Sequence, residues 1–125
     1  MSSERIPLAT PRPGSPVRGS RSGRPIMAAL DLLGRRWALR VLWELREGPQ
    51  SFRALRARCD EVSPSVLNQR LAELRASGIV AHEPGSGYAL RPEGESLLAA
   101  LAPLHDWAAR WARAQGARPP RAPRR

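Results

Sequence analysis

Three uncharged polar side chains lie close together in the stretch VSPSVLNQRLAELRASG, residues 62–78 of the chain: Ser65, Asn68 and Gln69. The amide of Asn or Gln can form two hydrogen bonds with adenine in the major groove of DNA, and a serine hydroxyl can bond a base or a phosphate. A solvated helix face usually bears charged residues instead. These residue types therefore favour a surface that recognises a polar partner. A plain soluble face, with Ser65 assisting a helix cap, is the alternative interpretation.

A helix is predicted for this stretch, and it turns the three polar side chains away from the protein core. Its apolar residues, which fall within about 60° of one another at helical spacing, are Leu67, Leu71 and Leu74. Measured from the first of these leucines, Asn68 lies at about 100°, Ser65 at about 160° and Gln69 at about 200°. Ser63 is predicted to cap the helix, and Pro64 to occupy its first position, where a missing N–H costs nothing. The N–H groups at this helix start suit a phosphate, so Ser63 is included among the predicted DNA contacts.

Further side chains are predicted to contact DNA around this surface. Arg70, on the flank of the same helix, is expected to bind a phosphate rather than a base. Arg53 and Arg56 in the preceding helix are candidates for backbone phosphates, although an ordinary solvated face explains them nearly as well. His82 and Ser86, in a predicted hairpin that follows, are candidates for DNA contact as well.

The charge of the chain is concentrated at its two ends. The 125 residues have a formal net charge of +10, and all 21 basic residues are Arg. Residues 1–25 contribute +4 and residues 116–125 another +4, which leaves 10 − 8 = +2 for residues 26–115. Arg suits phosphate recognition, but a genome whose codon usage favours Arg gives the same composition, so both explanations stay open. Both ends are rich in Pro, Gly, Ala, Ser and Arg, and residues 1–24 and 116–125 are predicted to be disordered basic tails.

The sequence disfavours several other classes of protein. One cysteine excludes an internal disulfide, and two histidines without cysteine partners predict no structural zinc site. No nucleophile with its base, no Gly-rich phosphate loop and no paired carboxylates stand out, so an enzyme is not expected and no cofactor or metal is predicted. No apolar run reaches the roughly 20 residues that span a membrane, and the N-terminus lacks the apolar centre of a signal peptide. The expected location is the reduced cytoplasm.

Cys59 is predicted to be a structural thiol in the core. It would end the third helix, where the helix dipole is negative, and Asp60 and Glu61 follow it. These groups raise the pKa of a thiol and disfavour the reactive thiolate, while Arg56 and Arg58 partly oppose them.

The pattern of apolar residues and turn signals along the chain predicts a mainly α (α+β) fold with one domain at residues 25–115. Three short helices are predicted first: IMAALDLLG, which ends at Gly34, then RRWALRVLWELREG, and then SFRALRARC, which Ser51 caps. The fourth predicted helix runs from Ser63 to Ser77. A small hairpin follows, with IVAHEP and YALRP as its strands around residues 85–87, and residues 92–115 are predicted to form a long last helix. This is the order of a winged helix-turn-helix. Tyr88 in the hairpin either approaches DNA or packs inward.

The run LDLLGRRWALRVLWELREGPQSFRALR, with SPSVLNQRLAELRASGIV and YALRPEGESL after it, resembles the HxlR-type family of bacterial transcriptional regulators. The resemblance implies a dimeric DNA-binding repressor or activator, with the fourth helix as recognition helix and the hairpin as wing.

The sequence also departs from that family's pattern. Where the family usually has Cys-Pro before the first helix, this chain has Arg24-Pro25, so redox sensing through that thiol is excluded. The wing is several residues shorter than usual, which puts its reach into the minor groove in doubt. Arg91 replaces the hydroxyl that usually caps the last helix, so a weak cap is expected.

An apolar stripe on the last helix is too long for one small domain to cover, and such patches usually mark an interface. The family pairs its terminal helices across a two-fold axis. The residues predicted to form the dimer interface are Ile26, Leu30, Leu33, Leu101, Leu104, Trp107 and Trp111. In the alternative, both tryptophans fold back onto their own domain.

Together these observations predict a sequence-specific DNA-binding transcriptional regulator that acts as a dimer on an inverted-repeat operator. The predicted partners are double-stranded DNA, a second copy of the chain and an unknown small-molecule effector. The alternative is a winged-helix protein-interaction module without specific DNA binding, which would lack the steep salt dependence of a DNA binder.

Overall fold

Five helices and one hairpin follow one another in the computed structural model, which describes residues 10–17 and 21–117. Their bounds are α1 Pro25–Leu33, α2 Ala38–Glu44, α3 Phe52–Arg58, α4 Pro64–Ala76, β1 Val80–Glu83, β2 Gly87–Leu90 and α5 Pro92–Ala114. The predicted order of elements is confirmed, and the architecture is a winged helix-turn-helix.

The hydrophobic core lies among α1 to α4 and β1. The side chains of its central cluster, each no more than 7% exposed, are Leu32, Val41, Leu42, Leu45, Leu55, Cys59, Val62, Leu67, Leu71, Leu74 and Val80. Only the beginning of α5 joins this core, through the partly buried Leu97 and Leu98. Since burying one such aliphatic side chain contributes about 1.5–3 kcal/mol, the core positions α3 and α4 firmly without help from the rest of α5.

The starts of the helices follow the predicted capping residues. The Ser51 hydroxyl accepts the N–H of Ala54 at 3.1 Å before α3, and the Ser63 hydroxyl accepts the N–H of Val66 at 3.2 Å before α4. Each bond satisfies one of the N–H groups that a helix start leaves unpaired. Arg91 forms no side-chain cap before α5, as expected from its type.

The turn between α3 and α4 has a left-handed backbone conformation at two residues that are not glycine. Asp60 and Glu61 both have positive φ angles, 54° and 56°, although neither is glycine. Arg40 on α2 braces this turn, because its guanidinium donates to the Arg58 carbonyl at 2.7 Å and to the Asp60 carboxylate at 3.3 Å. A hydrogen bond to Glu44 at 2.8 Å is the largest of the causes that raise the pKa of Arg40.

The hairpin that forms the wing is joined by a third segment of chain. Strands β1 and β2 pair antiparallel from Val80 opposite Leu90 to Glu83 opposite Gly87. Gln50 and Tyr88 exchange backbone hydrogen bonds of 2.9 and 2.7 Å, which ties the hairpin to the residues just before α3. A Cβ at position 87 would lie 2.3 Å from the Gln50 carbonyl oxygen, so only glycine fits there.

Helix α5 is the longest element and extends well beyond the core. Its start packs closely on the chain before β1, because Gly94 brings the backbone so near that a Cβ would lie 2.4 Å from the Ile79 carbonyl oxygen. At 1.5 Å per residue its 23 residues span about 35 Å. Pro103 lies inside the helix and removes one N–H donor from it without ending it. Neither α5 nor any other helix in the described ranges is long and apolar enough to cross a membrane.

The predicted tails lie mostly outside the described residues, which exclude residues 1–9, 18–20 and 118–125. Residues 10–17 and 21–24 of the predicted N-terminal tail are described, while the disorder of the tails stays a prediction. Pro11 is buried, and the N–H of Gly14 donates to the Gly23 carbonyl at 2.8 Å. Proline loses no side-chain entropy on burial, which lets a Pro-rich segment pack at low cost.

Candidate nucleic-acid-binding surface

Helix α4 has one face in the core and one face toward solvent, as its sequence predicts. The core face is closed: Leu67, Leu71 and Leu74 are 0%, 2% and 0% exposed. The side chains of Ser65, Asn68 and Gln69 are exposed in the first two turns. The structure therefore brings one hydroxyl and two amides together on a rigid helix whose apolar side is already covered.

The two hydroxyls at the start of α4 contact each other. The Oγ atoms of Ser63 and Ser65 lie 3.0 Å apart, while Ser63 also caps the helix. Ser65 thus supports the cap, which was the alternative interpretation of this residue, and it remains exposed at the same time. Both residues place polar atoms beside the N–H groups of a 13-residue helix, whose positive dipole end favours an anion.

The side chain of Arg70, which was predicted to bind a phosphate, is turned toward the protein interior. Its Nη1 donates to Glu73 Oε1 at 2.5 Å, and its side chain is only 18% exposed. Its Nε is buried without a hydrogen-bond partner among the described residues. Helical spacing puts Arg70 on the flank of α4, but the buried Glu73, one turn further on, draws its guanidinium inward.

Glu73 is the single buried polar or charged residue of the described chain, at 1% exposure. It accepts hydrogen bonds from Arg35, Gln69 and Arg70. The bond from Gln69 Nε2 measures 3.3 Å and ends on Oε2, the oxygen that also accepts from Arg35 Nη1. Gln69 therefore has one amide hydrogen engaged inside the protein while its side chain remains exposed.

The two arginines of α3 differ from each other. Arg53 is exposed beside the helix-turn-helix. Arg56 is partly used within the fold, since its Nε donates to the Val62 carbonyl at 2.7 Å and its Nη1 pairs with Glu61 at 3.1 Å. Of the two predicted phosphate contacts, Arg53 is thus the more accessible.

In the wing, His82 and Ser86 are both exposed. The His82 ring lies 4.5 Å from the Tyr88 ring, measured between centroids. Tyr88 itself packs inward, against the core and 6.5 Å from the ring of Phe52, which answers the open question about its direction. The wing thus presents the imidazole of His82 on a ring that the core holds in place.

A second surface, apolar where that of α4 is polar, consists of exposed apolar side chains. On α1, Ile26 and Leu30 are 60% and 56% exposed; on α5, Leu104, Trp107 and Trp111 are 48%, 49% and 55% exposed. The two tryptophan rings stack on each other at 5.4 Å and not on the core. Two members of the predicted interface are less open: Leu33 packs against the core, and Leu101 is half-buried.

Sequence analysis missed two members of this apolar surface. Leu39 and Trp43 on α2 are 39% and 41% exposed, and they face α5 across an apolar groove of about 730 Å³. Trp43 stacks on His105 at 5.7 Å, and the guanidinium of Arg46 lies 4.0 Å from the centre of its indole ring. At helical spacing both residues lie about 160–200° from the buried Val41, so periodicity already places them on the outer side of α2 and could have indicated them.

The chain matches the HxlR-like helix-turn-helix family over residues 32–116. It belongs to the HxlR family of helix-turn-helix transcriptional regulators. It is 32% identical to the HTH-type transcriptional regulator YvaP of Bacillus subtilis over 89 residues, covering 66% of this chain and 82% of YvaP. It is 33% identical to YtfH of Escherichia coli over 89 residues, 66% of this chain and 71% of YtfH. Its fold is similar to that of quinone-bound YodB from B. subtilis, with a TM-score of 0.64, 31% identity and coverage of 69% and 97% of the two chains.

The lone thiol of this HxlR protein is a core residue. Cys59 is 0% exposed. Burial is the largest cause that raises the pKa of Cys59, and the carboxylates of Glu44 and Asp60 add to the rise while Arg40 opposes it. The predicted direction is confirmed, although the main cause is burial rather than the neighbouring charges.

The described part of the chain offers little for metal or thiol chemistry. Within it, no group of three or more His, Cys, Asp or Glu side chains is placed to hold a metal ion. The polar groups that α4 exposes in its first two turns are hydroxyls and amides, which form hydrogen bonds and suit binding.

Proposed function

We propose that this HxlR regulator is a homodimer that binds an inverted-repeat operator and recognises bases in the major groove with α4. The observation that supports this best is the division of α4 into a closed leucine face and an exposed face with Ser65, Asn68 and Gln69. A helix with such uncharged polar groups fits the major groove, where each base pair presents its own pattern of donors and acceptors.

Base recognition is assigned to the two amides. Asn68 has an exposed side chain that can both donate to and accept from adenine. Gln69 donates one hydrogen to Glu73, which leaves its oxygen and its second hydrogen for a base. Each good two-bond contact of this kind discriminates against the wrong base by about 1–3 kcal/mol.

Phosphate contacts are assigned to the groups around that face. Ser63 and Ser65 sit at the N-terminus of α4, where N–H groups and the helix dipole favour a phosphate. Arg53 is exposed on the preceding helix, and His82 and Ser86 are exposed on the wing. Such contacts fix the register of the protein on the duplex and supply most of the salt dependence.

Dimerisation is assigned to the exposed apolar surface of α1, α2 and α5. Exposed tryptophans and leucines on this scale are unfavourable in water and typical of an interface. Two copies related by a two-fold axis would present two α4 helices to half-sites about one helical turn, or roughly 10 bp, apart. An inverted repeat follows from that symmetry.

The test is selection of bound duplexes from a library with a randomised centre of about 30 bp, long enough for two half-sites one turn apart. The full chain should enrich an inverted repeat, and affinity for it should fall by about 10³-fold or more between roughly 50 and 200 mM salt if six or more phosphates are contacted. A scrambled duplex of equal length controls for attraction by the Arg-rich ends. No enriched motif and no salt dependence would contradict DNA binding and favour the protein-interaction module.

A further inference from the structure

The buried Glu73 connects the predicted base-recognition residue to the rest of the domain. Its Oε2 accepts from Gln69 Nε2 at 3.3 Å and from Arg35, and its Oε1 accepts from Arg70 at 2.5 Å. Arg35, in the loop after α1, also pairs with Asp31 on α1 at 3.6 Å. The side chains of Asp31, Arg35 and Glu73 are 6%, 11% and 2% exposed, so this chain of contacts lies inside the protein.

Burial of a carboxylate costs more than burial of a leucine, which makes Glu73 an expensive choice for a merely structural position. A buried ion pair is often no more stabilising than apolar residues of the same volume. Here two arginines balance the charges of Glu73 and Asp31, so the group is neutral as a whole. Besides its bonds to the two arginines, the carboxylate accepts a hydrogen bond from Gln69, which reaches the exposed face of α4 and which an apolar side chain could not accept.

We propose that Glu73 is a positioning residue that determines base specificity by fixing the side-chain amide of Gln69. This inference rests on the proposed function of α4. A carboxylate only accepts hydrogen bonds, so it selects the NH₂ side of the amide and turns the amide oxygen the other way. Gln69 then presents one donor and one acceptor in a set order, which is what adenine requires. The Asp31–Arg35 contact extends the fixed arrangement to α1.

A long glutamine side chain without this bond would sample several rotamers on the surface. Fixing it in advance lowers the ordering cost of binding and rejects bases that need the amide reversed. Asn68 has no such internal partner among the described contacts, so it serves as the internal comparison for Gln69.

The experiment compares Glu73→Asp and Glu73→Gln with the unchanged chain, using selection from the randomised duplex library as the readout. Glu73→Asp keeps the charge beside both arginines but shortens the side chain by one carbon, which withdraws it from Gln69. Preference at the base pair that Gln69→Ala alters should fall by about 3- to 10-fold, the range of coupling within one hydrogen-bond network. Preference at the position altered by Asn68→Ala should stay unchanged.

Arg70→Gln is the matched control, because it disturbs the other oxygen of the same carboxylate and leaves the Gln69 bond in place. It should lower thermal stability without changing base preference. If Glu73→Gln does not fold, the base preference of Glu73→Asp, which retains the charge balance, decides whether Glu73 positions Gln69. In the Gln69→Ala background Glu73→Asp should have no further effect on preference.

Two results would overturn the positioning role. Equal loss of affinity for every duplex, with preference unchanged in Glu73→Asp, would make Glu73 structural only. Wild-type preference in Gln69→Ala would contradict the base-recognition role of Gln69 itself, and with it this inference. The first result leaves the proposed function of α4 intact, whereas the second does not, so the two failures are distinguishable.

Discussion

Helices α4 and α5 are both amphipathic, but only α4 has its apolar side covered by its own chain. The leucines of α4, Leu67, Leu71 and Leu74, are at most 2% exposed. Along α5 the apolar side chains become steadily more open, from the partly buried Leu97 to Trp107 and Trp111 at 49% and 55%. The difference separates two kinds of surface: α4 offers polar groups on a finished helix, whereas α5 offers apolar area that lacks a partner.

This comparison indicates which partner each helix suits. A closed apolar face leaves α4 rigid, and rigid placement of hydrogen-bonding groups favours recognition of a polar surface such as the edges of bases. The open face of α5 continues across the groove to Leu39 and Trp43 on α2, and apolar area of this kind is stabilised by another apolar surface. The proposed function therefore assigns DNA and a second copy of the chain to two separate surfaces.

The largest effect is expected in the covered face of α4. Leu71→Ala should lower the free energy of unfolding by about 2–5 kcal/mol, because it leaves a cavity among fully buried side chains. Denaturant unfolding of the full chain measures it. The same substitution at the exposed Leu104, studied where the chain is monomeric, should cost far less. Equal losses at the two positions would remove the distinction between the helices.

The role of the open face of α5 is tested by measuring how strongly variants of the chain form a dimer. Trp107→Ala should weaken the dimer by about 2 kcal/mol or more, as expected for a tryptophan at the centre of an interface. Deletion of residues 104–125 should abolish the dimer altogether and give monomer or insoluble chain. Sedimentation across a range of concentrations, with Arg110→Ala on the same helix as control, gives the dissociation constants. A truncated chain that stays a stable dimer would rule out α5 as the interface.

Substitution of Arg70 tests whether this arginine of α4 stabilises the fold or contacts DNA. Arg70→Ala should cost about 1.5–3 kcal/mol of folding stability, because it removes a hydrogen bond to the buried Glu73 carboxylate. Arg53→Ala, on the exposed side of α3, should leave stability within about 0.5 kcal/mol and reduce the salt slope of DNA binding by about one unit. Thermal melts and salt titrations of both variants check this assignment. Unchanged stability in Arg70→Ala, with a reduced salt slope, would restore its phosphate role.

The smallest effect concerns the thiol beneath the helix-turn-helix. Because burial raises the pKa of Cys59, its neutral form stabilises the fold, fully below the ordinary thiol pKa of 9.0 and less as pH rises beyond it. Wild-type stability should therefore decline above about pH 9 more steeply than that of Cys59→Ala, which has no thiol to titrate. At neutral pH the native thiol should resist alkylation and mild peroxide, with DNA binding retained. Loss of binding in peroxide that Cys59→Ser prevents would contradict the structural role.

Much of the fold was predictable because its signals are local. The caps at Ser51 and Ser63, the proline that opens α4 and Gly85 in the hairpin turn act within a few residues of themselves. The polar and apolar sides of α4 also follow from helical spacing alone. For the same reason the sequence predicted that α4 exposes Ser65, Asn68 and Gln69.

What the sequence did not predict depends on contacts between distant residues. Glu73 is buried because Arg35, 38 positions earlier, covers it, and no spacing rule within α4 indicates that. Asp60 and Glu61 have positive φ angles without being glycine, and Arg40, about 20 positions earlier, contacts this turn. The stacking of Trp43 on His105 joins residues 62 positions apart, which periodicity within α2 does not contain.

The central claim is that α4 recognises bases with Asn68 and Gln69, and one measurement tests it most directly. Binding of Asn68→Ala and Gln69→Ala to the selected operator and to its scrambled duplex should be compared with that of the unchanged chain. Each substitution should cost about 1–3 kcal/mol on the operator and much less on the scramble, while Gln115→Ala, the same change at the exposed end of α5, should alter neither. If both α4 variants fold normally and keep the operator-to-scramble ratio of the unchanged chain, α4 is not the recognition surface.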